Sequence, residues 1–170
     1  MINIVLYEPE IPQNTGNIMR TCAGTGTKLH LIKPLGFSLD DKVVKRCGVN
    51  YLEHCDYTVY EDYEDFINKN QGDFYFFTRY ATGDYNEVDY SDSSKNIYLV
   101  FGKESTGIPK EILQKNIDNC LRIPINDNIR ALNVSNSVAI ALFEVLRQQN
   151  FPHLLHYDTQ KGRDYLTKNE

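Results

Sequence analysis

A chain of 170 residues, 41% of them apolar, is long enough for one domain with a buried core. No apolar run approaches the ~20 residues that cross a bilayer, and the opening MINIVLYEPE has no basic segment ahead of its apolar one, so neither a membrane span nor a secretory signal is expected. A formal net charge of −5 argues against a body that is basic all over, and a cytoplasmic enzyme or binding protein is the expected class.

In chain order, Ile2 to Tyr7 is short and β-branched enough for a strand. Asn14 to Gly24 has Ile18, Met19 and Cys22 at helical spacing. Leu29 to Pro34 reads as a second strand. Asp40 to Cys47, with Val43, Val44 and Cys47, and Tyr60 to Asn68, with Tyr63, Phe66 and Ile67, read as helices. Strands follow at Phe74 to Thr78, Ile97 to Phe101 and Cys120 to Ile125. Strands alternating with helices predict an α/β fold around a largely parallel, buried sheet. The polar run Asn133, Ser135, Asn136, Ser137 then opens a helix to Arg147, with Asn133 or Ser135 as its N-cap. Val134, Val138, Leu142, Val145 and Leu146 form one stripe, yet Ile140, Ala141 and Phe143 lie off it. A helix apolar nearly all round needs cover on both sides, which a second subunit would supply. Beyond Pro152 the chain turns polar, and its last fifteen or so residues read as a loose tail.

The charge is unevenly placed. Glu53 to Asp92 holds 11 acids and two bases, a net of −9, while the rest sums to +4. An acidic flank beside a mildly basic body is compatible with a local phosphate-binding face, and equally with an ordinary solvated acidic segment. Cys22, Cys47, Cys55 and Cys120 form no C-x-x-C pair, so buried reduced thiols are expected rather than a zinc site or disulfides. No metal is expected; His54 beside Cys55 is the one metal-like neighbour pair.

Three segments place Asn, Gly and charged residues where a buried strand ends: Glu8 to Arg20, Gly102 to Pro109 and Pro124 to Asn136. Ligands of open α/β sheets sit outside the carboxyl ends of the strands, so three such loops on one edge read as a binding site. A P-loop is excluded, because Ile97 and Glu104 stand where it requires Gly and Ser or Thr. A dinucleotide fingerprint from Gly24 fails at Leu29. The histidines show no triad arrangement: His30 falls within a strand and His153 and His156 in the tail.

At these loops the chain closely resembles the SPOUT methyltransferases, and within them the small single-domain enzymes that methylate the ribose 2′-hydroxyl of cytidine or uridine 34 of tRNA. The matching motifs are Asn14-Thr15-Gly16-Asn17-Ile18-Met19-Arg20, Phe101 through Pro109 (FGKESTGIP), and Arg122-Ile123-Pro124 continuing to Arg130-Ala131-Leu132-Asn133-Val134-Ser135-Asn136. The match runs from Met1 to about Pro152, and YEPEIPQNTGN narrows it to the wobble-position branch.

The resemblance implies a parallel-sheet SPOUT fold in a single domain, residues 1–155, with a C-terminal trefoil knot, and a tail over 156–170. Knots are nearly absent from proteins, so composition gives no hint of one. It also implies a homodimer acting on a tRNA anticodon stem-loop, with leucine isoacceptors as substrates and no membrane or metal. S-adenosylmethionine would be held by the backbone around Phe77, Thr78, Gly102, Ile123, Ala131 and Leu132, with Ser135 and Asn133 bracing the cofactor loop. Ala131 departs from a serine common in relatives, at little cost if the contact is through the backbone.

Arg20 matches the family's catalytic arginine. A guanidinium stays protonated, so clamping a phosphate and stabilising the developing oxyanion suits it better than acting as base. Asn14 would orient Arg20 or the ribose, and Glu104 would hydrogen-bond a neighbouring motif or the knot itself. Arg79, Lys103, Arg122, Arg130 and Lys110 are candidates for RNA phosphates, and Tyr7, Tyr80 and Tyr157 for stacking. The alternatives are a 2′-O-methyltransferase for another RNA and a non-catalytic RNA-binding protein of the same fold.

Overall fold

The computed structural model describes residues 1–39 and 54–168. Seven strands form one sheet: β1 (Ile2–Tyr7), β2 (Lys28–Ile32), β3 (Tyr57–Tyr60), β4 (Asp73–Phe77), β5 (Gly83–Asp84), β6 (Ile97–Phe101) and β7 (Cys120–Arg122). Their order is β3-β2-β1-β6-β4-β7-β5, and every pairing is parallel. Among the described residues the α-helices are α1 (Pro12–Thr25), α2 (Tyr63–Lys69), α3 (Lys110–Lys115) and α4 (Val134–Gln148).

Period-two alternation of side chains sends every strand but the two-residue β5 into two cores. Ile2, Ile4 and Leu6 of β1 face a cluster with Ile18, Met19 and Cys22 of α1 and Val138, Ala141, Leu142, Val145 and Leu146 of α4. Val5 faces the other cluster, with Phe66 of α2 and Ile108, and with Ile112 and Leu113 of α3 packed against it. Each fully buried Leu, Ile or Val contributes roughly 1.5–3 kcal/mol, so both helical layers are held chiefly by apolar burial. The helix α4 packs on α1, β6 and β1, which returns the chain from β7 to the middle of the sheet.

The sheet matches the α/β expectation, with differences at element ends. Tyr60 closes β3 instead of opening a helix; α2 starts at Tyr63, where the Asp62 carboxylate caps it by accepting from Asp65 N at 2.7 Å. Strand β7 stops at Arg122, two residues before Pro124, which has no N–H for a ladder. Strands β3 and β5 and helix α3 were not anticipated. The helix expected at Asp40 to Cys47 lies outside the described residues. Of the two candidate caps for α4 it is Asn133 that fills the position. Ile140 and Phe143 on that helix are 37% and 47% exposed. Cys22, Cys55 and Cys120 are buried and free. The segment beyond α4 runs through turns and bends to residue 168. Among the described residues no helix is long and apolar enough to cross a membrane, and no group of three or more His, Cys, Asp or Glu could hold a metal ion.

Candidate active site

All strands run one way, so the loops after β1, β4, β6 and β7 gather on one edge of the sheet. They surround a cavity of about 810 Å³. Among the residues singled out from sequence, Asn14, Phe77, Thr78, Arg79, Gly102, Lys103, Glu104, Arg122, Ile123, Arg130, Ala131, Leu132 and Asn133 line it. Arg20 and Ser135 do not. Arg20 sits on the exposed side of α1, and the Ser135 hydroxyl donates to Asn133 Oδ1 at 2.6 Å. Lys110 borders a second cavity of about 770 Å³, which shares Lys103, Thr106 and Ile108 with the first. Ile11, Phe101, Leu121 and Ile125 also line the first cavity; three of them fall inside the segments and motifs read as the site, but none is singled out there as a site residue. Phe101 and Leu121 end or nearly end parallel strands, and that position was the available signal.

A hydrogen-bond chain joins the three motifs. Glu104 accepts from the Glu10 amide at 2.9 Å, the Ile11 amide at 3.3 Å and Asn14 Nδ2 at 2.9 Å. Asn14 Oδ1 accepts from Asn133 Nδ2 at 2.9 Å. Asn133 Oδ1 in turn accepts from the Ser135 and Asn136 amides, at 2.9 and 3.4 Å, and so caps α4. Asn14 is buried, and its amide is satisfied at both ends, as burial of a polar group requires.

The strap from Gly102 to Gly107 needs glycine at both ends. Gly107 is left-handed, φ 77°, and its amide donates to Lys103 O at 2.8 Å. A Cβ at Gly102 would fall 2.2 Å from Gly107 C and Ile108 N, so two backbone segments meet there at a distance no side chain allows.

Four cations border the cavity, three of them tied in place. Lys103 Nζ lies 2.7 Å from Glu8 Oε2, a pairing that raises the lysine's hold on its proton. Arg79 donates to Tyr80 Oη at 2.6 Å with its Cζ 4.7 Å from that ring's centroid, and Arg122 Nη1 donates to Arg79 O. Burial and the Glu8 carboxylate push Tyr7 up to about 12, so it stays a neutral phenol.

A cavity of this size, walled by Phe77, Phe101, Leu121, Ile123 and Leu132 with strand-end amides and a few cations, suits a nucleoside joined to an amino-acid tail. Residues 1–143 match the model of the SpoU rRNA Methylase family. The chain belongs to the SpoU rRNA methylase family. Among this SpoU member's relatives, a Listeria monocytogenes protein provisionally named tRNA (cytidine(34)-2′-O)-methyltransferase is 54% identical over 166 residues, 95% of this chain and 98% of the relative. A structure solved to explain 2-OH methylation of C/U34 on tRNA is 36% identical with a TM-score of 0.83, covering 88% of this chain and 97% of the other. An AdoMet-bound rRNA methyltransferase from Sinorhizobium meliloti is 25% identical with a TM-score of 0.76, covering 86% of this chain and 56% of that longer one. The fold is that of the SPOUT methyltransferases, whose donor is S-adenosylmethionine.

Proposed function

We propose that this protein transfers a methyl group from S-adenosylmethionine to the ribose 2′-hydroxyl of nucleotide 34, C or U, of tRNA, with leucine isoacceptors as substrates. The observation that carries the reading is the chain Glu104–Asn14–Asn133, which ties the three motif loops together at the mouth of a cofactor-sized cavity. The likeness to a Listeria monocytogenes protein of that name supports the choice of nucleotide.

Bound S-adenosylmethionine supplies an electrophilic methyl carbon. The protein's share is alignment of the ribose oxygen, worth several kcal/mol of barrier when both reactants are held. Phe77, Thr78, Gly102, Ile123, Ala131 and Leu132 form the cofactor walls, with Asn133 and Ser135 bracing the loop that carries the last two. Arg20 clamps the phosphate beside the ribose and stabilises the charge developing on oxygen, and phosphate or solvent takes the proton. Asn14 and Glu104 fix the helix that carries Arg20. Arg79, Lys103, Arg122 and Arg130 meet RNA phosphates, each contact making binding more salt-sensitive.

The unit acts as a cytoplasmic homodimer on the anticodon stem-loop, with residues 1–155 as its domain, 156–170 as a tail, and a C-terminal trefoil knot. Exposed Ile140 and Phe143 on α4, and the placement of Arg20 outside the cavity lining, support a second copy covering α4 and completing the site.

The test is transfer of labelled methyl to unmodified leucine tRNA transcripts and to bulk tRNA, with the labelled position mapped. Label on the ribose of nucleotide 34 that disappears with Arg20→Ala is expected. Label elsewhere identifies another RNA site, and no label on either substrate leaves the RNA-binding alternative.

A further inference from the structure

The turn between β1 and α1 is fixed from behind. Glu8 takes a left-handed backbone, φ 48°, and its amide donates to Ile32 O at 3.0 Å. The Gly36 amide donates to Pro9 O at 2.9 Å, and a Cβ at Gly36 would lie 2.7 Å from both Cα and O of Glu10. Residues 8–11 are therefore a wall with backbone packed directly behind it. The strap opposite is more exposed, with Ser105 and Thr106 open to solvent and Gly102 and Gly107 at its ends.

Two carboxylates cross between wall and strap. Glu104 of the strap reaches the wall and the start of α1. Glu10 of the wall reaches back, accepting from the Ser105 amide at 2.9 Å and the Ser105 hydroxyl at 2.8 Å. Those two donors hold the Glu10 carboxyl below its usual range. Ser105 lines the cavity and Glu10 does not. The second crossing therefore acts on the cavity through the strap alone.

We propose that Glu10 and Ser105 are positioning residues for methyl transfer: their paired hydrogen bonds latch the Gly102–Gly107 strap against the β1–α1 wall and set the cavity in its S-adenosylmethionine-binding shape. The inference rests on the reading of that cavity as the cofactor pocket. Hydrogen bonds to a carboxylate are among the stronger ones, and a strap ordered beforehand avoids an ordering cost on binding. By linkage, cofactor binding tightens the latch in return.

The experiment is calorimetric titration of the full chain with S-adenosylmethionine, for wild type, Glu10→Ala, Ser105→Ala, Ser105→Thr and Leu132→Trp, with the melting temperature of each. Leu132→Trp fills the cavity and abolishes binding. Glu10→Ala raises the Kd about tenfold, as expected for losing a charge-assisted pair at a partly solvated site. Ser105→Ala raises it less, because the amide donor remains, and Ser105→Thr restores wild-type affinity by restoring the hydroxyl. A merely structural role would lower the melting temperature of Glu10→Ala and leave the Kd of the folded protein unchanged. Wild-type affinity in Leu132→Trp overturns the pocket reading and the latch with it. Lost affinity there, with wild-type Kd in Glu10→Ala and Ser105→Ala, overturns the latch alone. If Glu10→Ala does not fold, equal Kd values for Ser105→Ala and Ser105→Thr overturn it.

Discussion

Asn133 donates its side-chain amide to Oδ1 of Asn14 at 2.9 Å, joining residues 119 positions apart. Asn14 passes the link on from its nitrogen to Glu104 Oε1 at 2.9 Å. The partners fix its orientation: nitrogen must face the carboxylate and oxygen the Asn133 amide. Asn14→Asp keeps the shape and the acceptor but sets a second carboxylate against Glu104. We expect it to lose roughly 2–3 kcal/mol of stability at pH 8, with the deficit shrinking in acid as the carboxyl pair takes up a proton. Urea unfolding at several pH values checks this; wild-type stability at pH 8 would show that the link carries no weight.

Asn133 has two separable duties. Its oxygen caps α4 by accepting from the Ser135 and Asn136 amides, while its nitrogen holds Asn14. Asn133→Ala abolishes both and costs about 1 kcal/mol through the cap alone. Asn133→Asp keeps the cap, adds a favourable charge at a helix N-terminus, and turns an acceptor toward Asn14 Oδ1. Thermal unfolding should place Asp above Ala in stability, while methyl transfer falls in both. If Asp restores activity as well as stability, the Asn133–Asn14 bond is not needed for the reaction.

Gly102→Ala tests the strap. Its Cβ would meet Gly107 C and Ile108 N at 2.2 Å, and backbone cannot rotate away as a side chain can. The strap must move bodily, at a cost of 3 kcal/mol or more, estimated as roughly that of severe overpacking. S-adenosylmethionine affinity should fall steeply, and it should not be recovered at temperatures where the variant is folded. Wild-type affinity in a folded Gly102→Ala would mean the strap does not shape the pocket.

Much of this fold is legible in the sequence where burial sets the pattern. Ile18, Met19 and Cys22 announce α1 by spacing, and Ile97 to Phe101 reads as a buried strand because β6 has neighbours on both sides. Tyr57 to Tyr60 is less apolar, and as β3 it forms an edge, with one residue exposed and two half-buried. Strand β5 is two residues long and leaves no periodicity to find. In the site, strand-end loops could be located from Gly, Asn and charge. The Asn14–Glu104–Asn133 chain could not, since 90 and 119 positions separate its members. The Glu10–Ser105 crossing likewise spans 95 positions, and local sequence says only that both are polar.

His30, 1% exposed in β2, makes stability depend on pH in a defined window. Its Nε2 lies 3.1 Å from Asn3 Oδ1, and Asn3 Nδ2 already donates to Met1 O and Ile97 O, so Nε2 carries the proton. Nδ1, 2.8 Å from Tyr60 Oη, then accepts from that hydroxyl, and the neutral ring is satisfied at both nitrogens. Burial, aided by repulsion from Lys28 and opposed by Asp56, pushes His30 down to about 4. A folded value below the ordinary one of about 6.5 means that the unfolded chain binds the extra proton between those limits. This contribution is complete above pH 6.5 and is lost as pH falls toward 4, by on the order of 3 kcal/mol in all. The stability of wild type relative to His30→Gln, whose amide can both donate and accept but does not titrate, should therefore fall as pH drops from about 7 to 4 and hold constant below that, as read by urea unfolding. Parallel curves for the two proteins across that window would show that the imidazole is not the group responsible.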